Sequence, residues 1–149
     1  MATKLVLLDT GILGMATHPT GNSDVKEWLQ KILSYGYIAV IPEICDYELR
    51  RELLRAGKYR SIARIDTLKS ILVYLPIDTS MMLRAAEFWA EARKKGMPTA
   101  DDKALDADAI LSAQAVVLQE QKRMETIIAT TNIGHISRFT QADIWMNIK

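Results

Sequence analysis

The sequence predicts an α/β fold in which a mostly parallel sheet of about five strands lies between layers of helices. Short apolar runs recur along the chain, and segments with the apolar spacing of a helix separate them. Strands joined through helices are parallel, and helices then cover the sheet on both faces. The 149 residues contain no repeat or long linker, so we expect residues 1–149 to form a single domain.

Strands are predicted where short runs of apolar and β-branched residues occur. The run Leu5–Leu8 has no polar residue, which is typical of a strand buried on both faces. Similar runs predict the remaining strands at 37–41, 71–75, 126–130 and 144–146.

Helices are predicted by apolar residues spaced three and four apart, with capping residues at the ends. Asn22 or Ser23 can cap the first helix, and Pro42 precedes the second, which ends at Gly57. The predicted helices cover 23–34, 43–56, 59–70, 79–95 and 105–121, and residues 99–103 form a polar connector.

Composition excludes several classes of protein. The net charge of +1 gives no global attraction to nucleic acids or membranes, so such a partner needs a local patch. The single cysteine, Cys45, excludes an internal disulfide and a cysteine-based zinc cluster. No apolar run approaches the ~20 residues that span a bilayer, and residues 1–3 begin no signal peptide. We therefore expect a soluble, cytoplasmic protein.

Acidic and polar residues occur where the predicted strands end. Asp9-Thr10-Gly11 follows the first strand, as in an aspartic protease, but that class needs a β-rich body. In a parallel sheet the carboxyl ends of the strands share one edge, where ligands bind. Clustered carboxylates repel unless a proton or a cation joins them, and a hard cation such as Mg²⁺ or Mn²⁺ suits oxygen ligands. The residues expected near this edge are Asp9, Glu43, Asp46, Glu48, Asp106, Asp108, Thr130, Thr131 and Asn132.

Each of these residues also has a purely structural interpretation. Asp9 could satisfy backbone donors in a turn, and Asn132 could be a turn residue before Gly134. Asp108 shares a helix side with the apolar stripe of Leu111, Ala115 and Leu118, so its carboxylate needs a partner or the helix dipole. Asp106 is turned ~200° away from Asp108 around the same helix. It is therefore expected to cap the helix or to lie outside the direct ligands of a metal site. Glu48 could pair with Arg51 or Arg55.

Four segments resemble the ordered motifs of PIN-domain nucleases, over nearly the whole chain. They are residues 7–13 around Asp9, residues 41–49 ending in Glu48 and Leu49, residues 108–115 beginning with Asp108, and Thr130-Thr131-Asn132 followed by Phe139. The resemblance implies a PIN-like three-layer α/β/α fold. By matching position, Asp9, Glu48 and Asp108 take the family's three metal-binding acids, and Asn132 takes the fourth polar position of the catalytic set.

The resemblance also implies a function. It implies a Mg²⁺- or Mn²⁺-dependent endoribonuclease that hydrolyses phosphodiesters of single-stranded RNA with a metal-activated water. Many small bacterial members are toxins of the VapC type, held inactive by a small antitoxin protein. The chain departs from the family pattern in two places: Gly11 stands where asparagine is usual, and Asn132 stands where aspartate is usual. The segment between Asp108 and Asn132 is also longer than usual.

Basic residues are concentrated in the predicted hairpin 43–70. They are either the solvated faces of two helices, phosphate contacts beside the acidic site, or a groove for an acidic partner. Arg51 and Arg55 are the expected contacts to RNA or to a partner. His18 is expected in an exposed loop, and His135 in a loop or at the substrate edge rather than on a metal.

Two other classes of function stay open. One is a catalytically silent PIN-like domain that serves as a binding or scaffold protein. The other is a Mg²⁺-dependent phosphohydrolase of small molecules, although a phosphatase with a nucleophilic Asp9 would want a second aspartate where Gly11 stands. The helix at 79–95 carries more apolar side chains than one buried stripe requires, which predicts a homodimer.

Overall fold

The computed structural model describes residues 3–21, 23–96, 102–134 and 136–149. Its strands are β1 (Leu5–Leu8), β2 (Ile38–Pro42), β3 (Val73–Leu75), β4 (Thr126–Thr130) and β5 (Ala142–Ile144). They form one sheet in the order β3-β2-β1-β4-β5, and all four neighbouring pairs are parallel. The predicted α/β fold with a parallel sheet is confirmed.

Helices connect the strands and cover both faces of the sheet. They are α1 (Thr10–Thr17), α2 (Ser23–Ser34), α3 (Glu43–Arg55), α4 (Tyr59–Ile71), α5 (Thr79–Lys94) and α6 (Asp102–Lys122). Short 3-10 helices follow at Ile136–Arg138 and Trp145–Asn147. Within the described ranges, no helix is both long and apolar enough to cross a bilayer.

The core consists of two apolar layers, one on each face of the sheet. Alternate residues of β1 point to opposite faces, so Leu5 and Leu7 pack in one layer while Val6 and Leu8 pack in the other. Side chains from α3 and α6 complete the first layer, and side chains from α1 and α2 complete the second. These two layers give the three-layer α/β/α arrangement that the resemblance implies.

Helix α1 is absent from the elements predicted from sequence. Gly11 and Gly14 lower its helix propensity, and its apolar residues do not follow a single stripe. The helix forms because Asp9 caps its first turn and because Ile12 and Leu13, both fully buried, anchor it to the two core layers. Asp9 therefore ends a strand and begins a helix.

Two short strands differ in their bounds from the prediction. Helix α4 continues through Ile71, so β3 begins at Val73 rather than at Ile71. β5 is Ala142–Ile144 instead of 144–146, because Trp145 leaves the sheet to pack edge-on against Trp28 at 5.6 Å between ring centroids. Edge strands have one neighbour and a weak apolar signature, which makes their limits hard to predict. Helix α6 begins at Asp102, so residues 102 and 103 are helical and not part of the predicted polar connector at 99–103, and the helix predicted from 105 begins three residues earlier. The candidate cap Asn22 and the rest of the connector lie outside the described residues.

Candidate active site at the carboxyl edge of the sheet

Asp9 lies at the carboxyl end of β1, where it is largely buried. Its carboxylate Oδ1 accepts the Ile12 amide at 2.9 Å, so it is the N-cap of α1. Burial raises the pKa of Asp9 above its ordinary value, while hydrogen bonds from the Thr130 hydroxyl and the Ile12 and Gly11 amides act against that rise. Asp9 is thus a carboxylate whose charge the protein only partly compensates.

Thr130, which the sequence placed at this edge without a specific role, is a direct partner of Asp9. The register pairs Leu8 with Ala129, so the next residues of the two strands, Asp9 and Thr130, lie side by side at the sheet edge. The buried Thr130 hydroxyl hydrogen-bonds Asp9 Oδ2 and accepts the Asn132 amide at 3.1 Å. A threonine at the last position of a buried strand that neighbours β1 is the signal that could have identified it.

Glu48 approaches Asp9 from helix α3. The Thr10 hydroxyl donates to Glu48 Oε1 at 2.9 Å, so the residue that directly follows Asp9 binds the second acid. The Cys45 thiol lies buried next to both acids: burial raises its pKa, and the charges of Asp9 and Glu48 act in the same direction. The structure therefore brings Asp9 and Glu48 into one neighbourhood, with Thr10 between them.

Glu43 and Asp46, the other two α3 acids expected at this edge, serve the fold instead. Glu43 Oε1 accepts the Ile77 amide at 2.8 Å. Asp46 is buried and bonded to Arg50 at 2.9 Å, to the Tyr74 hydroxyl at 2.9 Å and to Lys69 at 3.4 Å. Burial and the Asp46 charge raise the pKa of Tyr74. The expectation that Glu43 and Asp46 join the acidic cluster is wrong, because Asp46 is bound by α4 and β3 and Glu43 is bound by the segment that follows β3.

Asp108 and Asp106 lie on the first turns of α6. Leu111, Ala115 and Leu118 are buried in the core, as the predicted stripe requires, and Asp108 on the same side is half-buried. Asp106 is exposed, in agreement with its predicted turn away from that side. In the ranges that the structure describes, no group of three or more histidine, cysteine, aspartate or glutamate side chains is arranged to hold a metal ion.

The donor chemistry nevertheless fits a hard divalent cation. Asp9, Glu48 and Asp108 offer carboxylate oxygens, and each such oxygen has two lone pairs, so one hydrogen bond leaves capacity for a metal. Asp9 is partly buried and its pKa is raised, and a neighbouring cation would favour its charged form. The three carboxylates therefore stay predicted ligands: their chemistry suits the cation, but the described side chains are not arranged around one point.

Asn132 and Gly11 are the two positions where the chain departs from the family pattern. Asn132 is exposed, and its side-chain Oδ1 accepts the Gly134 amide at 3.0 Å, which closes a turn. A β-carbon on Gly11 would lie 3.3 Å from Thr131 Oγ1 and 3.6 Å from Asp9 Oδ1, so the Thr131 side chain lies close to where the family's asparagine would begin. His135 falls outside the described residues, and His18 is exposed as expected.

The basic residues of the α3–α4 hairpin divide into two groups. Arg50 is used internally, since it binds Asp46 and, at 2.7 Å, Asp66. Arg51 and Arg55 face solvent: Arg51 lies 3.9 Å from Glu48 Oε2, and Arg55 pairs with Glu52 at 2.9 Å. The two arginines predicted to contact RNA or a partner are therefore accessible, and one of them adjoins the acid pair.

A cavity of about 790 Å³ opens beside the acid pair, between α1, α3 and the start of α4. Thr10 and Gly11, which directly follow Asp9, line its near end. Its apolar walls are formed by Met15, Leu49 and Leu53, and its charged lining residues are Lys58 and the ion pair of Arg55 with Glu52.

Solved structures with the same fold share almost the whole length of this chain. VapBC2 from Rickettsia felis, bound to a DNA fragment from its promoter, matches with a TM-score of 0.73 and 17% identity, over 95% of this chain and 98% of that chain. DNA-bound VapBC from Salmonella typhimurium matches with a TM-score of 0.70 and 18% identity, over 97% and 99%. A toxin–antitoxin complex from Klebsiella pneumoniae matches with a TM-score of 0.59 and 20% identity, over 94% and 97%.

The comparisons of sequence found no match, whereas the comparison of structures did. No protein-family model and no curated protein sequence matches this chain. At 17% to 20% identity the solved structures show a shared fold, which agrees with the topology described above. The chain therefore has the PIN-like α/β/α fold that its sequence predicts, and in that fold it resembles the VapBC toxin–antitoxin structures.

Proposed function

We propose that this protein is a Mg²⁺- or Mn²⁺-dependent endoribonuclease that hydrolyses single-stranded RNA, and that it is the toxin of a toxin–antitoxin pair. One observation carries the proposal: the Thr10 hydroxyl joins the helix capped by Asp9 to Glu48, at the sheet edge where this fold binds ligands. The likeness in fold to toxin–antitoxin structures supports it.

The residues have distinct roles in this proposal. Asp9, Glu48 and Asp108 hold the cation, which when bound supplies a water of lowered pKa and positive charge near the phosphate. Thr130 and the Ile12 amide fix the orientation of the Asp9 carboxylate. Asn132, which follows the same strand end as Thr130, borders the reacting phosphodiester as the fourth polar residue of the catalytic set.

RNA binding needs positive charge as well as the metal. Arg51 and Arg55 face solvent on the Glu48 helix, so they can contact phosphates on either side of the cleaved bond. Binding of these arginines releases counterions from the RNA, and added salt opposes that release. Affinity for RNA should therefore fall as the salt concentration rises.

The decisive experiment is cleavage of a mixed RNA pool by purified protein. We expect cleavage with Mn²⁺, none with EDTA, and none by the Asp9→Asn variant, whose side chain still caps α1. Asp24→Asn, an exposed acid on α2, is the matched control and should cleave normally. Activity that survives EDTA or Asp9→Asn would refute the assigned site.

A silent PIN-like domain is the second candidate, because the described residues assemble no group of three metal-binding side chains. Calorimetry with Mn²⁺ separates the two functions. Binding that Asp9→Asn and Asp108→Asn each weaken supports the nuclease. No binding by the unmodified protein would favour the silent domain.

A protein partner is also proposed. The cavity beside Asp9 has apolar walls, with Lys58 and the Arg55–Glu52 ion pair among its lining residues, which suits an apolar segment of a partner. The test is co-expression with the product of a short reading frame next to this gene. A stable complex that does not cleave RNA supports an antitoxin, whereas a complex with full activity would contradict it.

Self-association is the last part of the proposal. Helix α5 packs mainly on α6, through Ala85 against Ala109 and Ala113, and it leaves apolar side chains exposed both beside this contact and away from it. These include Met82, Leu83 and Trp89, which are 46%, 65% and 37% exposed. Such a surface favours a homodimer.

A further inference from the structure

Tyr47 and Arg51 form a stacked pair on the solvent side of α3. The two residues are one helical turn apart, and the Arg51 guanidinium lies over the Tyr47 ring at 5.0 Å from its centroid. Tyr47 is 55% exposed, so the residue remains accessible to a ligand beside the contact with Arg51. We name this pair the Tyr47–Arg51 platform.

The platform borders the acid pair directly. Arg51 Nη2 lies 3.9 Å from Glu48 Oε2, and the other oxygen of Glu48 accepts the Thr10 hydroxyl at 2.9 Å. A continuous row of contacts thus runs from the residue after Asp9, through Glu48, to an exposed aromatic ring. The sequence indicated Arg51 as a basic contact but gave no role to Tyr47, because a single exposed tyrosine on a helix has no distinctive pattern.

The chemistry of the platform matches one nucleotide of single-stranded RNA. Unpaired bases stack on exposed aromatic rings, and arginine guanidinium groups bind phosphate oxygens or stack on bases. In a duplex the faces of the bases are already stacked on one another and cannot reach such a ring. A protein with an exposed ring next to its reactive acids would therefore favour single strands.

We propose that the Tyr47–Arg51 platform binds the nucleotide next to the cleaved phosphodiester, with its base stacked on Tyr47 and its phosphate contacting Arg51. This inference depends on the proposed ribonuclease function and adds to it the residue that selects unpaired RNA. Stacking tolerates every base, so the platform selects single strands without selecting a sequence.

The test measures binding without cleavage. The Asp9→Asn protein, in EDTA, is titrated with a fluorescent single-stranded RNA oligonucleotide, with the same oligonucleotide lacking its bases at the central positions, and with a duplex. Each titration is repeated after Tyr47→Ala, Tyr47→Phe, Arg51→Ala and Tyr59→Ala. Tyr59 is the matched control because it is an equally surface-located tyrosine, 68% exposed at the start of α4.

We expect Tyr47→Ala to weaken binding of the intact single strand about tenfold, in line with measured losses of base stacking. Tyr47→Phe keeps the ring and should bind like the parent, and Tyr59→Ala should stay within about twofold of it. The oligonucleotide without bases should bind the parent and Tyr47→Ala equally, because it has nothing to stack. Arg51→Ala should weaken the binding of both oligonucleotides, and the slope of log affinity against log salt concentration should fall by the amount expected for about one phosphate contact.

The possible failures are distinguishable. RNA binding that Tyr47→Ala leaves unchanged would overturn the platform alone and leave the ribonuclease proposal standing. Absence of RNA binding by every variant, including the parent with Mn²⁺, would overturn both. If Tyr47→Ala weakens binding of an acidic peptide but not of RNA, the surface serves a protein partner, and the inference is wrong. Thermal unfolding of each variant verifies that it is folded.

Discussion

Replacing Thr10 by valine should uncouple the two acids of the candidate site. Valine keeps the shape and helix propensity of threonine but cannot donate to Glu48 Oε1, which the hydroxyl reaches at 2.9 Å. A hydrogen bond to a charged group contributes about 1.5–3 kcal/mol, and the Glu48 side chain is 25% exposed, which places this bond at the lower end. We expect the free energy of unfolding to fall by about 1.5 kcal/mol, or roughly 3–6 °C in Tm for a chain of this size.

A double-mutant cycle isolates this contact from other effects. Urea unfolding of Thr10→Val, Glu48→Ala and the double variant should give a coupling free energy of about 1.5 kcal/mol. Thr10→Ser retains a hydroxyl and serves as the control, with most of the stability kept. A coupling free energy below about 0.3 kcal/mol would refute the reasoning, because residues without mutual contact add within that limit.

Three further predictions concern other parts of the molecule. Because the pKa of Asp9 is raised, its protonated form is favoured in the folded state, so Asp9 lowers the free energy of unfolding as pH rises through that pKa. Without metal at pH 7, Asp9→Asn should therefore be at least as stable as the parent in urea unfolding. The difference in free energy of unfolding between the two should shrink as the pH is lowered. A variant that is less stable than the parent at pH 7 would contradict this. Asp46→Asn removes the charge that pairs with Lys69 and that Arg50 shares with Asp66, and it should cost about 2 kcal/mol, seen as a Tm lower by roughly 4–8 °C. An unchanged Tm would show that this network is not stabilising. Leu83→Lys should lower the mass measured by light scattering from that of a dimer to that of a monomer. Ile71→Lys, at a similarly exposed position outside α5, should leave the mass unchanged. A parent protein with the mass of a monomer would contradict the predicted dimer.

The buried strands could be predicted because both of their faces are covered. β1 is apolar throughout, β4 is buried throughout and polar only at its two terminal threonines, and the bounds predicted for β4 coincide with those observed. The edge strand β5 carries less information, since it is three residues long, has only one neighbouring strand and is only partly buried. Helix α1 was missed because its stability comes from a cap and from contacts to two core layers, which no local pattern reports.

The candidate site could be predicted only in part. Glu43, Asp46 and Glu48 are equivalent as sequence, yet the 100° rotation per helical residue directs Glu48 toward Thr10 and Asp46 toward α4. Sequence showed which acids are near the sheet edge, but the direction of each side chain depends on how α3 is rotated against its neighbours. Thr130 was not identified as a partner of Asp9 because the pairing of β1 with β4 joins residues more than a hundred positions apart.

The register between β1 and β4 also determines where the chain can change in length. One residue inserted within β4 would place Ala129 beside Asp9 and turn every following side chain of the strand to the other face. The Thr130 hydroxyl would then be lost from the Asp9 carboxylate, and core residues such as Ile128 would face the wrong layer. An insertion after Asn132 shifts neither strand. Natural variation in length is therefore expected in the segment between β4 and β5, and not within the strand that borders Asp9.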